Sequence, residues 1–490
     1  MTALYQQIAL DLAKKIETGV FDVGEKMPGI RALKTQLQIS NSTAVAAYRQ
    51  LEDEGYIASR PRSGFYVRQL APTQFEAPGV AHDLPKRPKL VAQQARLVNF
   101  IEQAKRPHMI KLGAATPDVQ YLPLQALKKL THEALKIHGD TAFSYEEPLG
   151  SVALRQQIFK RMAQLGCNCR FEDILITNGC NEAVLLSLRA LTKAGDTVAI
   201  ESPAYHGHVQ LIEALGLKAI EIPCEPRQGI SLSALELALE QWPIKACLLI
   251  PNYSNPLGAV MSEKNKKALI KLAKKFDVML IEDDIYGDIH FSAQRPAPLK
   301  ACDQDERVIY CSSFSKSISP GMRVGWLAHK TLIDTLEYQK IITNICAAPL
   351  PQYLISAFLK SGRYEKHLRL MRVELEKSMM KMRSKVAQYF PKNTKMTAPR
   401  GGYVLWLELP EEVCSLDAAE LAFDKGISIA AGPMFSSSGK YRNYIRLAFA
   451  IKWTDEVDNA LQELGKIVKY LSKNAGSDGQ PGAAQGRPRA

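Results

Sequence analysis

The sequence predicts an α/β protein, a small helical head followed by a large body built on a mostly parallel sheet. Two patterns lead there. Residues 1–70 hold three short amphipathic stretches and then two β-prone runs, while residues from about 109 to 472 alternate short apolar runs with helical stretches. In the head, Leu4, Ile8, Leu12 and Ile16 recur at helical spacing, and Gly19 supplies a stop. GEKMPG marks a turn before a second helix carrying Ile30, Leu33 and Leu37. Ser40 is placed to cap a third helix, STAVAAYRQLEDEG, which ends at Gly55. Tyr56, Ile57, Phe65, Tyr66 and Val67 flank the polar turn SRPRSG as a hairpin. Helix, helix, turn, helix, hairpin is the order of a winged helix-turn-helix, which puts the N-terminal end of its third helix into the major groove of DNA. In the body, DILIT, TVAIE, ACLLIP, VMLIEDD and RVIYCSSFS read as strands, with NEAVLLSLRAL, HVQLIEALG and KNKKALIKLAKKF as helices between them. Functional groups in this architecture lie on loops that follow strands.

Composition bounds the rest. A chain of 490 residues with 46% hydrophobic and 23% charged residues buries a sizeable core and is too long for one small module. No apolar run approaches the ~18 residues that would span a bilayer, and MTALYQQIALDLAKK lacks a signal-peptide layout, so a cytoplasmic chain with no membrane partner is expected. The nine cysteines are scattered, and Cys167 and Cys169 stand too close for the usual zinc spacing; neither metal site nor disulfide framework is expected. The formal charge of +13 invites nucleic acid, yet the head holds nine Lys and Arg against seven Asp and Glu. Net charge alone assigns nothing there. Residues 71–108, rich in Pro, Ala and Gln, read as a linker between the head at 1–70 and the body at 109–472, and 473–490 as a disordered tail.

The head resembles the GntR-type DNA-binding domain over nearly its full length, through its LYQQI opening, GVFDVGEKMP, RAL, the SNST helix start, LEDEGYI and the wing SGFYV. The resemblance implies double-stranded operator DNA as partner. Asn41, Ser42 and Thr43 would reach base edges or phosphates, and Arg31, Arg49, Arg60 and Arg62 would neutralise phosphates. Family members usually carry Arg where this chain has Asn41, and Asn reads adenine better than guanine.

Along the body, TNGCNEA, ESPAYHG, PNYSNPLG, IEDDIYGD, SSFSKSISPGMRVGW, PRGGYVLW and NYIRLAFA come in an order that resembles the fold-type I, class I/II aminotransferases, which use pyridoxal 5'-phosphate and carry a smaller C-terminal lobe. The resemblance covers most of 109–470. It assigns Lys316 as the catalytic lysine, whose amine condenses with the cofactor's aldehyde. The ring nitrogen needs a carboxylate to keep its proton; Asp283 matches, with Asp284 as competitor. Tyr286 and Asn255 match the groups that contact the ring oxygen, and Tyr205 the aromatic stacked on the ring face. Gly179, Cys180 and Asn181 open a helix and, with Ser313 and Arg323, match the phosphate ligands. Tyr145 resembles the tyrosine that reaches the phosphate of a neighbouring subunit, which implies a homodimer with shared sites. Arg446 matches the arginine that clamps a ligand carboxylate by two parallel hydrogen bonds.

Head and body together look like the MocR subfamily of transcription regulators. That likeness implies a regulator that binds operator DNA, holds pyridoxal phosphate and senses an amino-acid or amine effector, or the cofactor itself. The alternative is a working amino-acid aminotransferase whose head is DNA-binding or vestigial; sensor and catalyst share the same site residues.

Overall fold

A computed structural model describes residues 4–17, 20–21, 24–53, 56–60, 63–68, 75–79, 87–91, 106 and 108–474. The chain divides into two compact units, Met1–Gln74 and Phe75–Ala490.

In the first unit, helices α1 (Leu4–Glu17), α2 (Ile30–Leu37) and α3 (Asn41–Asp53) precede strands β1 (Ile57–Arg60) and β2 (Gly64–Val67). Leu12 and Ile16 of α1 bury with Ala44, Ala47, Tyr48 and Leu51 of α3, a stripe at spacings of three and four; the small alanines let the two helices close on each other. Gln38 in the left-handed region ends α2, and the Ser40 Oγ accepts the Thr43 N–H at 3.0 Å to cap α3. The hairpin is antiparallel, Ile57 facing Val67 and Arg60 facing Gly64, whose φ of 106° its turn requires.

The second unit contains β3 (Lys89–Leu90), β4 (Ile110–Lys111), β5 (Ile174–Thr177), β6 (Thr197–Ser202), β7 (Lys218–Glu225), β8 (Gly229–Ile230), β9 (Ile244–Leu249), β10 (Met279–Asp283), β11 (Val308–Ser313) and β12 (Gly325–Ala328). After them come β13 (Lys395–Met396), β14 (Val404–Glu408), β15 (Ile427–Ser428), β16 (Ala430–Ala431) and β17 (Tyr444–Ala448). A nine-stranded sheet runs β3-β7-β6-β9-β10-β11-β12-β5, with β8 pairing β7. The central strands β7, β6, β9, β10 and β11 are parallel, and β12 is antiparallel to both its neighbours. Strands such as β5, β6 and β11 are buried at every residue, which is why they read as unbroken apolar runs. A second sheet, β13-β14-β17-β16, is antiparallel and packs with the helices Arg363–Tyr389 and Asp455–Asn474 into its own core. Among the described residues no helix is long and apolar enough to cross a membrane.

The stretch expected as a linker, 71–108, has two described pieces laid on this body. Phe75 packs on the cluster that includes Met396 and Leu407, the Glu76 carbonyl accepts the Met396 N–H at 3.1 Å, and the Gly79 N–H donates to Glu408 at 2.6 Å. Further on, β3 pairs antiparallel with the start of β7, and Val91 is buried beneath it. Averaged composition hid these contacts because they rest on a few apolar residues set among polar ones. Residues 475–490, most of the expected tail, lie outside the described residues.

Candidate functional site

The body residues nominated from sequence converge where the parallel strands end. Asp283 closes β10 and is buried. Its Oδ2 lies 3.1 Å from His208 Nε2, and its Oδ1 accepts the Cys180 thiol and the Ile285 N–H, each at 3.1 Å. Asp284 faces the other way. Its Oδ1 accepts Asn252 Nδ2 at 3.0 Å, and its Oδ2 takes Arg295 at 2.6 Å and the Tyr310 hydroxyl at 2.9 Å. Consecutive residues at a strand end point to opposite faces, so only one of the two carboxylates is turned toward the helix opening at Cys180. Burial, with Asp283 beside it, keeps the Cys180 thiol protonated and hence a donor.

Lys316 follows β11 by three residues. Its Nζ donates to the Ala115 carbonyl at 2.5 Å and lies 5.9 Å from the Tyr286 ring centre. Burial, then Arg446, push this amine down to about 8, with Asp283 opposing. Tyr286 hydrogen-bonds Asn255, and Asn255 Oδ1 accepts Arg446 Nη1 at 2.9 Å. Arg446 also donates Nη2 to the Gly113 carbonyl, and Phe435 lies 4.9 Å from its guanidinium carbon. The arginine is 1% exposed, its Nε has no hydrogen-bond partner, and no ion pair to it occurs among the described residues. A buried cation held only by neutral groups can take an anion as its partner. Tyr205 stands at the start of the helix His206–Ala214 and hydrogen-bonds Asn181.

At the other end, Gly179 (φ 93°) precedes the helix Cys180–Leu191, and a Cβ there would come within 2.5 Å of Arg323 Nη2. Arg323 donates to the Asn178 carbonyl at 2.6 Å and to Ser315 Oγ at 3.4 Å. Ser313 Oγ lies 2.7 Å from Ser315 Oγ and 3.0 Å from the Val324 carbonyl. Helix N-terminus, hydroxyls and guanidinium form an anion cradle. Tyr145 is not drawn in: it is 82% exposed. No cluster of three or more metal-ligating side chains occurs among the described residues.

In the head, Asn41 and Ser42 are exposed on the first turn of α3, with Thr43 half-buried and Arg49 exposed about two turns on. Ser40 Oγ lies 2.8 Å from Ser42 Oγ and 2.7 Å from Thr43 Oγ1, so these three hydroxyls are tied to one another at the helix end where Asn41 is exposed. Arg31 is exposed at the start of α2, and the Arg60 guanidinium sits 4.2 Å from the Tyr66 ring centre in the wing. Arg62 lies outside the described residues.

Residues 4–67 match the model of the bacterial regulatory proteins of the gntR family, and residues 107–464 that of aminotransferase class I and II. The HTH-type transcriptional regulator YjiR of Escherichia coli K12 is 38% identical over 464 residues, spanning 95% of this chain and 98% of the relative. The chain belongs to the MocR subfamily of GntR-type regulators. Solved structures similar to the MocR-type body include a multiple substrate aminotransferase from Thermococcus profundus, with TM-score 0.71 and 25% identity over 78% of this chain and 96% of that one. A kynurenine aminotransferase from Pyrococcus horikoshii, solved in complex with PMP, has TM-score 0.71 and 27% identity over 78% and 95%.

Three residues of this MocR-type site escape a motif reading. His208, three after Tyr205 and so one helical turn on, meets Asp283; that spacing was the available signal. Ser315 bridges Ser313 and Arg323. Tyr403 in PRGGY donates its hydroxyl to the Lys316 carbonyl and sets its ring edge-on to Tyr286 at 5.6 Å.

Proposed function

We propose that the protein is a cytoplasmic, homodimeric DNA-binding transcription regulator that holds pyridoxal phosphate in its body and senses an amino acid or amine there. The observation that carries this reading is the gathering of Lys316, Asp283 and the unpaired cation Arg446 beside one another in a chain that also holds a winged helix-turn-helix. The residues fit the cofactor: a cradle that any Cβ at Gly179 would fill, a buried carboxylate oriented by two side chains, and a lysine amine displaced toward neutrality. When bound, pyridoxal phosphate supplies an electron-withdrawing ring that stabilises charge at the ligand's α-carbon. Arg323, Ser313, Ser315 and the N–H groups after Gly179 hold the phosphate, and Asn181 supports Tyr205, which covers one ring face against water. Asp283 keeps a proton at the ring nitrogen, His208 and Cys180 keep Asp283 aimed, and Tyr286 and Asn255 face the ring oxygen. Arg446 takes the ligand carboxylate, and Tyr145, exposed on its own chain, reaches a second copy's phosphate.

In the head, Asn41, Ser42 and Thr43 enter the groove while Arg31, Arg49, Arg60 and Arg62 meet phosphates. Coupling between body and head is reciprocal: a ligand that changes operator affinity has its own affinity changed equally by the operator. Promoter fragments from the gene's own neighbourhood, titrated at two salt concentrations with and without a panel of amino acids and amines, test this. Sequence-specific, salt-sensitive binding that shifts with compounds altering the cofactor's absorbance is expected. Turnover of amino acids with no specific DNA binding would instead favour the aminotransferase reading, which the same residues also suit.

The neutral amine is the form of Lys316 that bonds the cofactor. Covalent capture of added pyridoxal phosphate should therefore speed up roughly tenfold per pH unit below about 8 and level off above it, as followed by stopped-flow absorbance.

A further inference from the structure

Glu221, in β7 of the large sheet, gathers a turn that belongs to the smaller lobe. Its Oε1 accepts Ser436 Oγ at 2.8 Å, the Ser437 N–H at 2.5 Å and Ser437 Oγ at 3.0 Å. Its Oε2 accepts Ser438 Oγ at 3.3 Å and Ser202 Oγ at 3.4 Å, and lies 3.5 Å from Lys440 Nζ. The carboxylate is 7% exposed, so these charge-assisted bonds act with little competition from water.

What the turn carries is Phe435. Its carbonyl accepts the Ala204 N–H at 2.8 Å, and its ring packs on Trp406 at 5.1 Å and lies 4.9 Å from the Arg446 guanidinium carbon. The far end of the turn is tied as well, Tyr441 to Ser202 at 2.8 Å, five residues before Arg446. Among the described residues Arg446 has no carboxylate partner; Asn255, Gly113 and the Phe435 ring surround it. Of the groups around Arg446, Phe435 stands directly before the turn that Glu221 fastens to β7.

We propose that Glu221 is a positioning residue for the carboxylate clamp: by fastening Ser436–Lys440 it holds Phe435 beside Arg446 and so fixes how the guanidinium meets the ligand, which Glu221 itself does not touch. This rests on the reading that Arg446 receives a carboxylate. A cation beside an aromatic ring loses attraction quickly as the ring tilts or withdraws, and a small misplacement of a binding group costs far more than the contact itself.

The test uses the full-length chain loaded with pyridoxal phosphate, as wild type, Glu221→Gln, Glu221→Ala and Phe435→Leu. Affinities are read from the cofactor's absorbance for L-alanine against ethylamine and L-phenylalanine against 2-phenylethylamine, pairs that differ only by the carboxylate. Wild type should favour the carboxylate-bearing member, and Glu221→Ala should reduce that preference roughly 10- to 100-fold with cofactor affinity unchanged. Phe435→Leu should do the same, and combining it with Glu221→Ala should add little further loss. Glu221→Gln, which keeps the volume and one acceptor, decides the matter if the alanine variant fails to fold; it should give a smaller loss of the same kind. An unchanged preference in every folded variant, even with both ligands of a pair weakened equally, overturns the proposal and leaves Glu221 a turn stabiliser. A wild type indifferent to the carboxylate overturns the assignment of Arg446, and this proposal with it.

Discussion

Lys316→Ala is expected to remove the absorbance of lysine-bound cofactor and to leave operator binding intact but deaf to amino compounds. The side chain places its Nζ 5.9 Å from the ring centre of Tyr286, beside the Asn255–Arg446 pair. The anion cradle at Gly179, Ser315 and Arg323 does not depend on it, so pyridoxal phosphate should still bind, as the free aldehyde. Any proton movement on a bound amino acid should slow by roughly 10²–10⁴-fold, the usual cost of losing a positioned acid–base group. Absorbance spectra, single-turnover kinetics and gel-shift titrations of both proteins read these effects. A variant that still changes its operator affinity with amino acids as wild type does would refute the sensing role of the lysine.

The second large effect separates two neighbours. Asp284→Ala should destabilise the body by about 3 kcal/mol, because it removes one of the two carboxylates paired with buried Arg295, the pair's members being 0% and 11% exposed, and leaves Asp288 at 2.8 Å as the remaining partner. The Tyr310 hydroxyl loses its acceptor as well, and the Asn252 amide keeps only the Ala297 carbonyl at 3.4 Å. Asp283→Ala should leave the fold nearer to wild type, orphaning His208 Nε2 and the Cys180 thiol, while reducing any chemistry at the ligand's α-carbon roughly 10²–10³-fold. Denaturant midpoints and single-turnover rates, measured on both variants, should diverge in opposite senses. If Asp284→Ala were stable and chemically dead, with Asp283→Ala the reverse, the assignment of the ring-nitrogen partner would be inverted.

This pair also marks where sequence ran out. Asp283 and Asp284 are adjacent in IEDDIYGD, and only the alternation of side chains at the end of β10 assigns them to opposite faces. Much of the head was legible, because caps such as Ser40 and spacings such as Ile8, Leu12 and Ile16 are local signals. The motif residues of the body were nameable one at a time, but their meeting was not, since Asp283 and His208 are 75 residues apart and Arg446 and Asn255 are 191. Glu221 and Phe435 carried no signal at all: a glutamate in a strand and a phenylalanine in a loop gain meaning only when two lobes come together. The docked pieces of 71–108 were lost for the opposite reason, a few apolar residues diluted by a proline-rich average.

Those pieces bear on how the body is to be handled alone. A fragment begun at residue 108 would strip β3 from the outer edge of β7 and uncover the apolar surface beneath Phe75 and Val91. An uncovered edge strand is a template for pairing with other chains, so such a fragment invites aggregation. Cutting just ahead of Phe75 keeps both covers in place, and the boundary for an isolated aminotransferase-like body belongs there.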